Sequence, residues 1–308
     1  MAERATAYQI ALPGSEASPT PAPKAPLEHR ARQRANDLDG KTWTRYSISI
    51  WSDIRKTQEE IDLGHPALFP VALVTRLIQC FTTQEDRVVL DPFAGVGSTV
   101  LAAEAMGKAG IGLEISHEYV EKARRRPAVR SLLDLPPDLP KGERTLYCAD
   151  ANDLLSYVAP ASVDLVVTSP PYWDILLQER TADYKAIRHY GEDPRDLGRI
   201  RDYKQFLQAL KNIFSHVYKA LKPGKFCCVI VMDLRKKNRF YPFHMDVSQF
   251  MQEIGFILDD IIIWDRRHEY NNMRPLGYPS RFRINKAHEY ILVFQKPKAP
   301  RSSDERLP

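Results

Sequence analysis

The stretch "RVVLDPFAGVGSTVLAAEAMG", residues 87–107, constrains the fold of this chain more than any other. A β-branched apolar run ends in Asp91, a tight turn carries Gly95 and Gly97, and a helix-forming run follows with Ser98 and Thr99 as capping candidates. A strand–turn–helix unit of this kind belongs in an open α/β sheet, where ligands bind beyond the carboxyl end of a strand. Glycine lets the backbone approach a ligand closely, and the start of the helix offers N–H groups that have no partner within the helix. A Gly-x-Gly pair alone is a weak signal; its placement between strand and helix gives it weight.

The rest of the chain supports that placement. "AGIGLEI", "TLYCAD", "VDLVVTS", "KFCCVIVMD", "FILDDIIIW" and "HEYILVFQK" read as strands. The helical patterns "FPVALVTRLIQCF", "HEYVEKARRR", "YKQFLQALKNIFSHVYKAL" and "HMDVSQFMQEIG" fall before and between them. Such alternation predicts an α/β fold with a doubly wound, mostly parallel sheet and an antiparallel strand near its end. Glu114 ends the strand after the glycine turn, about twenty residues on from Gly95, where a carboxylate can accept hydrogen bonds from ribose hydroxyls. Asp150 ends the next strand and puts a third acidic group on the same sheet edge. A dinucleotide fingerprint would place its third glycine or alanine at Val100, where a bulky side chain hinders close helix–strand packing. A nucleoside lacking a pyrophosphate, such as S-adenosylmethionine, therefore fits better than NAD.

Composition narrows the class. The 308 residues are 44% hydrophobic and 27% charged, ordinary for a globular protein. No apolar run reaches the roughly 20 residues of a membrane helix, and the first residues lack a secretory leader, so a cytoplasmic protein is expected, nucleoid-associated if the source is prokaryotic. Cys80, Cys148, Cys227 and Cys228 show no CxxC spacing, and the eight histidines form no cluster, so no metal site is expected. A net charge of +5 permits a polyanionic partner without requiring one. Residues 1–38, rich in proline without periodicity, are expected to form a disordered arm, 39–297 the catalytic domain and 298–308 a flexible tail.

The remaining signal is "TSPPYW", residues 168–173, at the end of a buried strand. Two prolines cannot extend a strand's hydrogen bonding, so the segment is a stiff loop. With "DPFAGVGST", "GLEIS", "CAD" and "TSPPYW" in this order, the chain resembles the DNA methyltransferases that modify exocyclic amino groups of bases, over residues 43–297. The resemblance implies a Rossmann-like class I methyltransferase fold and S-adenosyl-L-methionine as cofactor. "HPALFP" is similar to the family's cofactor-flanking motif, with Phe69 and Pro70 against the methionine part. Asp91, Pro92, Phe93, Ala94, Gly95, Gly97, Ser98 and Thr99 correspond to its cofactor turn. By the same resemblance Glu114 would take the ribose hydroxyls and Asp150 the adenine amino group, and Ile115, Ala151 and Thr168 are further expected cofactor contacts. Ser169, Pro170, Pro171 and Tyr172 match its catalytic tetrad, whose Ser-Pro-Pro-Tyr form is more typical of cytosine-N4 enzymes than of adenine-N6 enzymes. The motif order is reversed relative to the commonest arrangement of Ser-Pro-Pro-Tyr enzymes, as in a circular permutation.

Few residues follow "HEYILVFQK", so insertions near 174–204, 233–244 and 265–286 are expected to read the DNA. All three mix basic residues with aromatic or polar ones, the types that grip phosphate and base edges. Arg235, Lys236, Lys237, Arg239, Arg266, Arg267, Arg274, Arg281 and Arg283 are the expected DNA contacts. Double-stranded DNA is the expected partner, a cognate restriction endonuclease a candidate one, and a monomer or homodimer the expected form.

An exocyclic amino nitrogen is a poor nucleophile because its lone pair is delocalised into the ring, and in a duplex it is paired, so the base must be extruded. The Pro170 carbonyl and the Ser169 hydroxyl are expected to accept its two hydrogens, Tyr172 to stack on the base and Trp173 to line the same pocket. Cytosine-C5 chemistry is disfavoured, because it needs a nucleophilic cysteine, typically after proline, and no Pro-Cys occurs. An adenine-N6 enzyme, an RNA base amino-methyltransferase and a non-catalytic nucleic-acid-binding regulator are the competing readings.

Overall fold

The computed structural model describes residues 34–65, 68–128, 140–174, 193–236, 238–269 and 283–298. The chain divides into two compact units, 1–34 and 35–308, and the fold below is that of the second. The expected arm lies outside the described residues up to residue 33, as does the tail from 299. Asn36 and Leu38, counted with the arm, are instead packed down: the Asn36 side chain is buried and donates to the Cys80 carbonyl at 3.1 Å.

The elements in chain order are α1 (Gly40–Tyr46), β1 (Ile50–Trp51), α2 (Gln58–Asp62), α3 (Val71–Phe81), β2 (Val88–Asp91), α4 (Ser98–Ala105), β3 (Ala109–Glu114), α5 (His117–Arg125) and β4 (Glu143–Cys148). They continue with β5 (Val163–Thr168), α6 (Tyr203–Ala220), β6 (Leu221–Val231), β7 (Leu234–Lys236), β8 (Arg239–Tyr241), α7 (Phe243–Ile254), β9 (Ile257–Asp265) and β10 (His288–Gln295). The main sheet runs β1-β9-β10-β6-β5-β2-β3-β4; β10 is antiparallel to both neighbours and the other pairings are parallel. This is the doubly wound, mostly parallel sheet expected from the alternation of patterns.

Period-two alternation explains why both faces are covered. In β6, Cys227, Val229 and Val231 enter one core with Phe206, Phe214 and Phe243 of α6 and α7. Cys228 and Ile230 enter the other, with Leu73, Val74 and Leu77 of α3 and Trp51 and Trp264. β10 divides likewise, Leu292 and Phe294 to the first core and Ile291 and Val293 to the second. Each large apolar side chain fully buried this way contributes about 1.5–3 kcal/mol.

The chain reverses direction of growth between β2 and β5: β3 and β4 extend the sheet to one side, and β5 and β6 return on the other side of β2. Crevices in open α/β sheets form at such a switch, outside the carboxyl ends of the strands. The glycine turn leaves β2 there and the Ser-Pro-Pro-Tyr loop leaves β5. Additions not anticipated are the short parallel β1, helices α1 and α2, and the β7–β8 hairpin, which lies in the expected insertion at 233–244.

Candidate active site

Gly95 and Gly97 adopt left-handed backbone, with φ of +51° and +82°, a conformation that costs other residues roughly 1–2 kcal/mol. Gly97 is the N-cap of α4 and no side chain caps that helix. Ser98 and Thr99, expected as caps, are its first helical residues and turn elsewhere. The Thr99 hydroxyl lies 2.8 Å from Asp91 Oδ2 and 3.1 Å from the Val167 carbonyl, and the Ser98 hydroxyl accepts from buried Arg126 at 3.3 Å. Arg126 also donates to the Val96 carbonyl at 3.1 Å and lies 3.7 Å from Glu60, so a buried cation underpins the turn.

Val100 does not hold the helix away from the sheet, contrary to expectation. It is fully buried, and the close approach is made by glycines on β3: a Cβ at Gly110 would lie 2.8 Å from the Val100 carbonyl oxygen, and one at Gly112 2.8 Å from Val100 Cγ2. The small residue that a dinucleotide site carries on its helix is supplied here by the adjacent strand.

A cleft opens above these strand ends. Phe69, Pro92, Phe93, Ala94, Gly95, Ser98, Glu114, Ile115, Asp150 and Ala151 line it, together with Ser169 and Pro171. The expected cofactor residues Pro70, Asp91, Gly97, Thr99 and Thr168 are not in its wall. Pro70 is the N-cap of α3. Asp91 is fully buried behind the cleft and accepts from Thr168 Oγ1 at 2.6 Å, Thr99 Oγ1 at 2.8 Å and the Phe93 N–H at 3.0 Å. Burial raises its carboxyl to about 6. His65 and Leu68 of "HPALFP", Val96 of "DPFAGVGST" and Ala149 of "CAD" also line the cleft, together with Arg195, Asp196, Leu197 and Ile213, none of which the sequence singled out as a cofactor contact. Arg195 and Asp196 lie within the expected 174–204 insertion, whose residues 175–192 are outside the described residues.

Glu114 accepts from the Gly95 N–H at 2.9 Å with one oxygen and from the Ser116 N–H at 2.8 Å with the other. Burial pushes its carboxyl up to about 7 even though both donors pull it down. Asp150 accepts from the Asn152 N–H at 2.8 Å and so starts the 3₁₀ turn Ala151–Ser156. Each carboxylate oxygen has two lone pairs, so both acids keep acceptor capacity beside bonds that fix their position.

The loop after β5 differs from expectation in three respects, the first being that Pro170 is buried and outside the cleft wall. The Tyr172 ring is buried rather than open for stacking; it lies edge-on to Phe243 at 6.2 Å. Its hydroxyl stands 3.1 Å from Ser169 Oγ, 3.0 Å from Glu289 Oε2 and 3.4 Å from the Ile230 carbonyl. Trp173 is not in the cleft wall either. It takes φ of +51°, unusual for a bulky residue, and is held there: its indole N–H donates to the Ile200 carbonyl at 2.8 Å and its ring packs on Tyr203 and Tyr241. Conformations of this kind cost about 1–3 kcal/mol and persist where the surroundings enforce them. Only Ser169 and Pro171 of this loop reach the cleft.

The expected DNA contacts also separate. Arg239 and Arg267 are exposed, Arg235 lies over Phe240, and Arg283 donates to Asn238 at 2.9 Å. Lys236 instead pairs with buried Asp174 and sits 4.0 Å over the Trp173 ring. Arg266 is turned inward, paired with Glu289 and Glu269 and placed over Trp264. Lys237, Arg274 and Arg281 lie outside the described residues. Among the described residues no helix is long and apolar enough to cross a membrane.

The DNA methylase family model N6_N4_Mtase matches residues 16–125 and 163–307 of this chain. Among individual relatives, Type II methyltransferase M.MthZI of Methanothermobacter thermautotrophicus is 28% identical over 172 residues, 51% of this chain and 46% of the relative. Type II methyltransferase M.MjaI of Methanocaldococcus jannaschii is 28% identical over 153 residues, 44% of this chain and 50% of the relative. The chain thus spans about half the length of the curated relatives it matches. Among solved structures, TTHA0409 of Thermus thermophilus, complexed with S-adenosyl-L-methionine, is 29% identical over 52% of this chain and 61% of that one, with a TM-score of 0.35.

Proposed function

We propose, from the premise that this chain belongs to the N6/N4 DNA methylase family, that it is a site-specific enzyme methylating the exocyclic N4 amino group of cytosine in duplex DNA. S-adenosyl-L-methionine is its cofactor. The cleft fits that molecule in chemistry: Glu114 and Asp150 offer acceptors for a diol and an amino group, and Phe69 and Phe93 offer apolar wall. Bound there, S-adenosyl-L-methionine supplies an activated methyl group.

The observation that carries the reading is that Ser169 lines the same cleft as Glu114 and Asp150. An amino group brought to Ser169 therefore lies in the space those acids serve. The Ser169 hydroxyl accepts an amino hydrogen, drawing the nitrogen lone pair out of conjugation with the ring; Pro170, expected to supply a second acceptor, is buried and outside the cleft wall. The two prolines stiffen the loop that carries Ser169, so its position is set before the base arrives. Extruding the base costs a few kcal/mol. The serine at the head of the tetrad favours cytosine over adenine. The Type II designation of the relatives extends the proposal to a modification enzyme acting beside a cognate restriction endonuclease.

Incubation with labelled S-adenosyl-L-methionine and unmethylated duplex DNA, followed by digestion to nucleosides, tests it. N4-methylcytosine is expected. N6-methyladenine would move the acceptor to adenine, label on structured RNA alone would make it an RNA enzyme, and no label would leave a binding protein. Ser169→Ala is expected to cut transfer at least 100-fold while cofactor affinity stays within twofold, and full activity in that variant would sink the acceptor role.

A further inference from the structure

Tyr172, Glu289 and Arg266 form a chain of contacts that the reading above leaves without a task. The Ser169 hydroxyl, 3.1 Å from Tyr172 Oη, is the first link. Tyr172 Oη stands 3.0 Å from Glu289 Oε2, and the other Glu289 oxygen is held by the Arg266 guanidinium. Glu289 is a buried carboxylate on β10, a strand whose Ile291, Leu292, Val293 and Phe294 are fully buried. Arg266 is pinned in turn by Glu269 and by the Trp264 ring 4.7 Å away, and Lys56 approaches Glu269 at 3.4 Å.

The direction of these bonds follows from what each group can do. An ionised carboxylate only accepts, and a guanidinium only donates. Burial and the facing Glu289 hold the Tyr172 phenol well above its ordinary range, so it stays protonated and has one hydrogen to give. Glu289 is the nearer and charged acceptor, while the Ile230 carbonyl is farther at 3.4 Å. With that hydrogen committed to Glu289, the Tyr172 oxygen presents a lone pair to Ser169. The Ser169 hydrogen then points at Tyr172, and the serine lone pairs are left for the cleft that Ser169 lines.

We propose that Glu289, working through Tyr172, is a positioning residue that sets the hydrogen-bond polarity of Ser169, keeping its hydroxyl an acceptor toward the substrate amino group. Arg266 holds Glu289 in place. This rests on the amino-acceptor reading of Ser169. No proton leaves the chain of residues in this role; each hydrogen stays on the atom that carries it, and only its direction is fixed. A hydroxyl free to rotate would spend part of its time aiming a hydrogen at the incoming amino hydrogens. Tyr172 thus serves from behind the cleft rather than by stacking in it.

The test uses the full-length protein, labelled S-adenosyl-L-methionine and unmethylated duplex DNA in single-turnover assays followed over hours, with cofactor affinity and melting temperature measured in parallel. Tyr172→Phe keeps the ring and leaves the Glu289–Arg266 pair intact. It is expected to slow transfer 10-fold or more with cofactor and DNA affinities within twofold of the parent. Glu289→Gln, whose amide can donate, is expected to slow it similarly. In a Ser169→Ala background neither change should slow residual transfer further, because no hydroxyl remains to be aimed. Tyr172→Phe with a rate within twofold of the parent overturns the proposal. So does an equal slowing in both backgrounds, which marks a general structural effect. Should Glu289→Gln fail to fold, Tyr172→Phe decides alone. Unchanged activity in Ser169→Ala, by contrast, overturns the acceptor reading itself, so the two failures are told apart.

Discussion

Asp91 Oδ1 accepts a 2.6 Å hydrogen bond from the Thr168 hydroxyl, joining the last residue of β2 to the last residue of β5. The glycine turn begins one residue after Asp91 and the Ser-Pro-Pro-Tyr loop one residue after Thr168, so this carboxylate holds both loops at the sheet's switch point. Asp91 belongs to the frame of the cleft and not to its wall.

That role predicts a split between two substitutions. Asp91→Ala leaves the Thr168 hydroxyl and the Phe93 N–H without this acceptor and the Thr99 hydroxyl with only the Val167 carbonyl, and an orphaned buried group costs about 1–3 kcal/mol. A loss of about 3 kcal/mol or more is expected in urea unfolding. Asp91→Asn keeps one oxygen for Thr168 and Phe93, while its amide faces Thr99, whose hydroxyl can accept that bond and donate to the Val167 carbonyl 3.1 Å away. It should fall within about 1 kcal/mol of the parent.

Glu114 makes both stability and cofactor binding depend on pH. Burial raises its carboxyl from 4.5 to about 7 in the free protein. The stability this group contributes is therefore fully present below pH 4.5 and is lost as pH rises through 7. A ligand donating hydroxyls to Glu114 favours the charged form and lowers that value. Cofactor affinity should accordingly rise between pH 6 and 8, and binding should release protons. Calorimetry in buffers of different ionisation enthalpy measures both, and Glu114→Gln should flatten the profile and weaken binding about 10- to 100-fold.

The β3 glycines predict a second split. At Gly110 an added Cβ meets Val100 backbone, its carbonyl oxygen at 2.8 Å and Cα at 2.9 Å. At Gly112 the neighbours are side-chain atoms of Ala94, Val100 and Leu146. Overpacking typically costs 1–3 kcal/mol. Both Gly→Ala variants should melt lower, and adding Val100→Ala should recover part of the loss at Gly112 but none at Gly110, since trimming a side chain leaves its carbonyl in place.

What was legible from the chain alone follows from range. The strand and helix patterns, Gly95, Gly97 and Glu114 rest on local periodicity and short spacing; Glu114 is the last residue of β3 as expected, while Asp150 stands two residues past the end of β4, as the N-cap of a 3₁₀ turn, on the same side of the sheet. Glu289 and Arg126 did not show, because their importance comes from partners: Tyr172 lies 117 positions from Glu289, and the Val96 carbonyl 30 from Arg126. A lone carboxylate inside the apolar strand "HEYILVF" is the signal that could have found Glu289. Val100 misled because the glycine that admits it sits on the next strand. The inward turn of Tyr172, Trp173 and Arg266 is tertiary, since an aromatic or basic residue in a loop has no local rule for which way it faces.

Arg266, just past the end of β9, and Arg239, at the start of β8, both stand in basic stretches, yet one is turned inward and the other is exposed. The Arg239 guanidinium lies 5.0 Å from the Tyr241 ring centre. Arg266 is inward, between Glu289 and Glu269. A phosphate contact releases counterions, so losing one should reduce the salt slope of DNA affinity by about 1 and weaken binding evenly across sequences. Arg239→Ala is expected to do this with no change in melting temperature. Arg266→Ala should lower the melting temperature, because removing one partner of a buried pair costs about 3–5 kcal/mol, while leaving the salt slope unchanged. Fluorescence anisotropy against salt, beside thermal melts, checks both; a lower slope in Arg266→Ala with an unchanged melt would put that guanidinium on DNA and out of the Glu289 pair.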